Sequence, residues 1–92
     1  MQSTSIILST YNKPDFLRKV LIGYNCQTYS DFDIIIADDG SSKDTKNIIG
    51  YFKDNTSLDI KHIWHQDEGF QKSVILNKAI QASKSDYLIF SD

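Results

Sequence analysis

Residues 32–45, FDIIIADDGSSKDT, decide the fold. Phe32–Ala37 is a short, isoleucine-rich run, the pattern of a strand covered on both faces. Asp38-Asp39-Gly40-Ser41 then carries turn chemistry. Ser41 with Asp44 three residues on resembles a capping box, and the helix it opens bears Ile48, Ile49 and Phe52. Buried strand, acidic turn and amphipathic helix form the repeating unit of a parallel α/β sheet.

The same alternation extends in both directions. Upstream, Ser5–Ser9 (SIILS) reads as a strand, Asn12 as a cap and Pro14 as a first-turn residue of a helix. Phe16, Leu17, Val20, Leu21 and Tyr24 fall on one helical stripe, which ends at Ser30-Asp31. Downstream, Lys53–Ser57 is a polar loop and Leu58–Trp64 a third strand, with Leu58, Ile60, His62 and Trp64 on one face. Gly69 ends a loop. Gln71–Ser83 is a helix with Val74, Ile75, Lys78, Ala79 and Ala82 near one stripe, and Tyr87–Phe90 (YLIF) is a fourth buried strand. The order β-α-β-α-β-α-β implies one parallel sheet with right-handed crossovers. An apolar strand with no helix after it leads us to expect a chain cut from something longer.

Ninety-two residues allow one small domain. The 40% hydrophobic and 24% charged content is that of a globular chain and not a disordered one. A net charge of −2 argues against a nucleic-acid partner, which would require a basic face. One cysteine, Cys26, excludes an internal disulfide framework and a cysteine-based zinc site, and it fits reducing, cytoplasmic surroundings. No apolar run reaches the roughly 18 residues of a membrane span, and the N-terminus lacks a basic leader.

In an open parallel sheet, ligands bind beyond the carboxyl ends of the strands. Those ends carry Ser9, Thr10, Tyr11 and Asn12, then Asp38 and Asp39, then His65, Gln66 and Asp67, and finally Asp92. Acidic, aromatic and hydrogen-bonding groups along one rim suit a nucleotide and an oxygen-liganded divalent cation. His62 and His65 lie three apart in sequence, on opposite sides of an extended strand, so they do not share an ion and are read as structural or solvated. Trp64 is read as packing and Cys26 as an inert thiol.

SIILSTYNKPDFLRKVL followed by DIIIADDGSSKDT resembles the start of an inverting family 2 glycosyltransferase of the GT-A fold. Asp67-Glu68-Gly69-Phe70, then Asn77-Lys78-Ala79-Ile80, match the family's later Asp-x-Gly-Phe segment and the helix after it. YLIFSD reaches the first acidic position of the family's metal-binding Asp-x-Asp. The combination is specific, although each piece alone is common.

The resemblance implies a Rossmann-like parallel sheet of about four strands in the order 3-2-1-4, with helices on both faces, as the truncated start of a GT-A domain. It implies transfer of sugar from a nucleotide-diphosphate sugar, a UDP-sugar, to a saccharide or lipid-linked acceptor. Residues 1–92 would be the donor-binding portion, with the acceptor half and the general base downstream of residue 92. Ser9 and Tyr11 would flank a uracil-type base, and Asp39 would accept from its ring N–H. Asp38 would orient the loop or the ribose, and Lys72 would face the phosphates. Asp92 would sit near the ribose and the diphosphate and hold Mg²⁺ or Mn²⁺. Where family members often carry arginines, this chain has Gln71 and Leu76. The implied strand order leaves the fourth strand at an edge, so self-association is expected. A cytoplasmic location, peripheral to the membrane, follows from the same resemblance.

A second enzyme class and a receiver domain fit less well. A dinucleotide-dependent dehydrogenase requires a glycine-rich turn after the first strand, where this chain has Ser-Thr-Tyr-Asn-Lys-Pro. A phospho-acceptor receiver carries its paired acids after the first strand and not the second. A non-catalytic α/β nucleotide-binding or interaction module is the alternative from outside the enzymes.

Overall fold

The computed structural model describes residues 3–27, 31–67, 69 and 71–91. The elements run β1 (Thr4–Thr10), α1 (Pro14–Asn25), β2 (Asp33–Asp38), α2 (Lys43–Asn55), β3 (Asp59–Trp64), α3 (Lys72–Ala82) and β4 (Tyr87–Ser91). All strand pairs are parallel, in the order β3-β2-β1-β4. The expected elements, sheet order and parallel pairing are all present, but β4 is not the buried strand expected. As the end strand it leaves Tyr87, Ile89 and Phe90 more than half exposed, and Trp64, expected to pack, is likewise exposed on the opposite end strand β3.

Alternation along the two central strands builds both layers of the core. Ile6 and Leu8 of β1 and Ile34 and Ile36 of β2 face Leu17 and Leu21 of α1 and Ile49 and Phe52 of α2. Ile7, Ile35 and Ala37 point the other way, onto Ile75 and Ala79 of α3. β1 and β2 are therefore near-continuous apolar runs because helices cover both of their faces. Each fully buried isoleucine or leucine contributes about 1.5–3 kcal/mol. The helix placement follows from chirality. The chain moves outward from β1 to β2 to β3 with α1 and α2 on one face. It then reverses past β1 to β4, and a right-handed crossover in that direction requires the opposite face.

At the amino ends of the strands, the buried Ser5 hydroxyl donates to Asp33 and accepts from Ser83 Oγ at 2.8 Å, tying the approach to β4 onto the central strands. Two expected stripe residues fall outside the core: Phe16 is 52% and Val74 43% exposed. Each lies in the first turn of its helix, beyond the reach of the sheet. Cys26 is an exposed free thiol just past α1. Among the described residues, no helix is long and apolar enough to cross a membrane.

Candidate functional site

The reversal of chain direction places a crevice at the carboxyl ends of β1 and β2, where the loops diverge to opposite faces. A cavity of about 370 Å³ lies there, lined by Ser9, Thr10, Tyr11, Lys13, Phe16, Ala37, Asp39, Lys72 and Ile75. Four of the residues expected at a nucleotide, Ser9, Tyr11, Asp39 and Lys72, thus line one cavity. Asp92 lies outside the described residues, as do Glu68 and Phe70 of the Asp-x-Gly-Phe segment.

The two adjacent acids separate by face. Asp38 is fully buried on the α1/α2 side. Its Oδ1 accepts the Ser41 backbone N–H at 2.8 Å and its Oδ2 pairs with His62 Nε2 at 2.7 Å. Of the two roles expected for Asp38, orienting the loop or the ribose, its contacts match the first: with both oxygens engaged and no surface exposed, it holds the β2–α2 turn.

Asp39 faces α3 and borders the cavity. Its Oδ1 pairs with His65 Nε2 at 2.5 Å, and its Oδ2 accepts the Gln71 backbone N–H at 2.8 Å. Gln71 is the N-cap of α3, a helix with no side-chain cap and no acid in its first turn. Asp39 supplies the missing anion from the turn after β2, where it satisfies an amide and opposes the positive end of the helix. Burial pushes its carboxyl pKa up, but the hydrogen bonds from His65 and Gln71 outweigh that and hold it below the ordinary value. His62 and His65 do not share an ion; each pairs with one of these carboxylates.

Three further links hold the rim loops against one another. Asn12, at φ +47°, does not cap α1, whose N-cap is Lys13. Its Oδ1 accepts the Ser42 N–H and its own N–H donates to Ser41 Oγ, each at 2.7 Å. Ser41 is therefore taken from its expected capping box, and α2 has Ser42 as its N-cap, with no side-chain cap hydrogen bond. Trp64 Nε1 donates to the Ser41 carbonyl at 3.1 Å. The Tyr11 hydroxyl donates to Asp67 Oδ2 at 2.7 Å, and that bond, with the carboxylate's charge, raises the phenol pKa. Asp67 Oδ1 accepts the Gly69 N–H, closing the β3–α3 turn. Gly40, at φ +88°, lets the Asp67 backbone cross directly above it, and a Cβ there would stand 2.5 Å from Asp67 Cα.

No group of three or more His, Cys, Asp or Glu among the described residues could hold a metal ion. The four oxygens of Asp38 and Asp39 are all committed to protein donors, so these two acids do not fit a cation site. What the rim offers is a flat aromatic surface at Tyr11 and a fixed anionic acceptor at Asp39.

Residues 5–92 match the Glycosyl transferase family 2 model. The chain is 35% identical over 85 residues to the hyaluronan synthase of Pasteurella multocida, covering 91% of this chain and 8% of that protein. It is 33% identical over 92 residues to the Escherichia coli UDP-Glc:alpha-D-GlcNAc-diphosphoundecaprenol beta-1,3-glucosyltransferase WfaP, covering all of this chain and 35% of that one. It thus spans about a third or less of either relative. The crystal structure of S. aureus TarS in complex with UDP-GlcNAc superposes with a TM-score of 0.70 at 20% identity, over 98% of this chain and 26% of that one, which shows a shared fold. With the ordered motifs, the sheet order and a family match across nearly the whole length in agreement, the chain belongs to glycosyl transferase family 2.

Proposed function

We propose that residues 1–92 form the nucleotide-sugar-binding portion of a glycosyltransferase that takes sugar from a UDP-sugar. The observation that carries this is the crevice itself: Tyr11 and Asp39 border one cavity at the point where the chain reverses direction. Family membership supports sugar transfer. WfaP is named for a UDP-Glc donor, and the structural neighbour was solved with UDP-GlcNAc, which supports uracil as the base.

In this reading the base lies against Tyr11 and Ser9, and its ring N–H donates to Asp39. Lys72, at the first position of α3, faces the phosphates beside the helix amides. Asp92 would hold Mg²⁺ or Mn²⁺ beside the diphosphate, where a divalent ion neutralises the charge of a departing phosphate group. Transfer would be an inverting displacement onto a saccharide or lipid-linked acceptor, with the general base outside residues 1–92.

Calorimetric titration of the folded chain with UDP, GDP, dTDP and NAD in the presence of Mn²⁺ tests the donor site. UDP is expected to bind with a Kd below about 1 mM, some 4 kcal/mol, and more tightly than GDP or NAD. Equal binding of UDP and NAD by a chain with native circular dichroism would overturn the reading.

We also propose that the 92-residue chain self-associates through β4. That strand ends the sheet, and Ile89 and Phe90 are 53% and 57% exposed on its two faces. An unpaired apolar edge is a template for another strand. Light scattering should give a mass that rises with concentration and falls when Ile89 is replaced by lysine; a concentration-independent monomer would refute it.

A further inference from the structure

The carboxylate proposed to recognise the base is held by a side chain with no assigned role, and that side chain is itself held by another. We infer that His65 is a positioning residue for the base site, with Lys78 selecting its tautomer, so that Asp39 presents a fixed acceptor to an imino N–H. The inference rests on the donor-site reading above.

His65 follows β3, and its ring lies between β2 and α3. Nε2 meets Asp39 Oδ1 at 2.5 Å, and Nδ1 meets Lys78 Nζ at 3.4 Å. The histidine and the aspartate side chains are 13% and 9% exposed, so water does little to blur their pairing, while the Lys78 contact lies at the exposed end of the ring. An ammonium group has three donors and no acceptor, and an ionised carboxylate only accepts. The one neutral tautomer that satisfies both neighbours carries its proton on Nε2 and turns the Nδ1 lone pair toward Lys78. Reversing it would set a lone pair against a carboxylate and an N–H against an ammonium.

This fixes what Asp39 can recognise. With the Gln71 amide on Oδ2 and the His65 N–H on Oδ1, the carboxylate is oriented at both ends, and Asp39 borders the cavity. A uracil ring offers an N–H at the position where cytosine offers a lone pair. An oriented acceptor therefore favours UDP over CDP, and a carboxylate free to rotate discriminates less. Lys78 acts at one remove, four residues below the exposed Val74 on α3.

The test compares UDP and CDP binding to the 92-residue chain with Mn²⁺ for the wild type, His65→Ala, His65→Asn and His65→Gln, with circular dichroism to confirm folding. Glutamine places its amide N–H where the histidine Nε2–H stood, whereas asparagine is too short. The UDP-over-CDP preference should fall about tenfold in His65→Ala and His65→Asn, and return to within about threefold of wild type in His65→Gln. Loss of packing alone would weaken both nucleotides together and would not be rescued by glutamine. An undiminished preference in folded His65→Ala or His65→Asn overturns the inference. Nitrogen-15 spectra of the His65 ring in the nucleotide-free chain give an independent reading. An Nε2–H tautomer that becomes mixed in Lys78→Met supports the arrangement, and an Nδ1–H tautomer overturns it. If the wild type binds neither nucleotide, the donor-site reading fails, and the ring spectra still decide whether Lys78 and His65 orient Asp39.

Discussion

Gly40→Ala is expected to destabilise the chain by about 2–5 kcal/mol. Two costs combine. Gly40 sits at φ +88°, where a Cβ is strained by about 1–2 kcal/mol. That Cβ would also lie 2.5 Å from Asp67 Cα and 2.6 Å from Asp67 N, backbone atoms that no rotamer change can move aside. Overpacking of this kind costs about 1–3 kcal/mol. A domain of this size loses about 4–8 °C of Tm per kcal/mol, so thermal melts should shift by at least about 8 °C. Gly69→Ala provides the control. Gly69 has the same backbone sign, φ +91°, but nothing within 4 Å of an added Cβ. It should show the strain cost alone. Equal losses in the two variants would mean that the β3–α3 loop does not cross Gly40 as closely as described. The displaced loop carries Asp67, so Gly40→Ala should also release Tyr11 from its hydrogen bond and weaken UDP binding.

Asp39→Asn is expected to lower UDP affinity by about tenfold to a hundredfold and stability by about 1–3 kcal/mol. The carboxylate receives one donor on each oxygen. An asparagine has a single acceptor oxygen, so its NH₂ must confront either the Gln71 amide or the His65 ring. The same NH₂ would face the imino N–H of a uracil. Asparagine nearly matches aspartate in shape, so the measured losses report the mismatch and not a cavity. Asp39→Ala is less informative, because it also removes the anchor of the α3 N-terminus. Acid titration adds a second check. A carboxyl held below its ordinary pKa stabilises the fold above the unfolded-state value, and that contribution is lost as pH falls through the lowered one. Asparagine has no such titration, so denaturation midpoints of wild type and Asp39→Asn should converge as the solution is acidified below about pH 4. Unchanged UDP affinity in a folded Asp39→Asn would remove this residue from the base site.

The strands and helices were legible because their signals are short in range. Four successive apolar residues in β2 and a stripe of Leu17 and Leu21 on α1 each report burial within one or two turns of chain. The acidic pair was legible as a site because a parallel sheet delivers the ends of its strands to one rim. The division of labour within that pair was not. Adjacent residues on a strand point to opposite faces, so Asp38 went into the α1/α2 layer and Asp39 to the cavity. Which face held which helix depends on the sheet order.

The amino-acid sequence by itself determined the alternation of elements, the core residues of the two central strands and the set of polar groups brought to the carboxyl rim, because periodicity and turn chemistry act between near neighbours. Tertiary structure alone decided which polar group satisfies which. Asp39 meets His65 across 26 residues, Asp38 meets His62 across 24, and Tyr11 meets Asp67 across 56. Asn12 and Ser41, which could each have capped their own helix, bond across two loops instead. A short polar side chain satisfies the nearest donor in space. Parallel strands about 4.8 Å apart place residues far apart in sequence closer together than the next turn of their own chain.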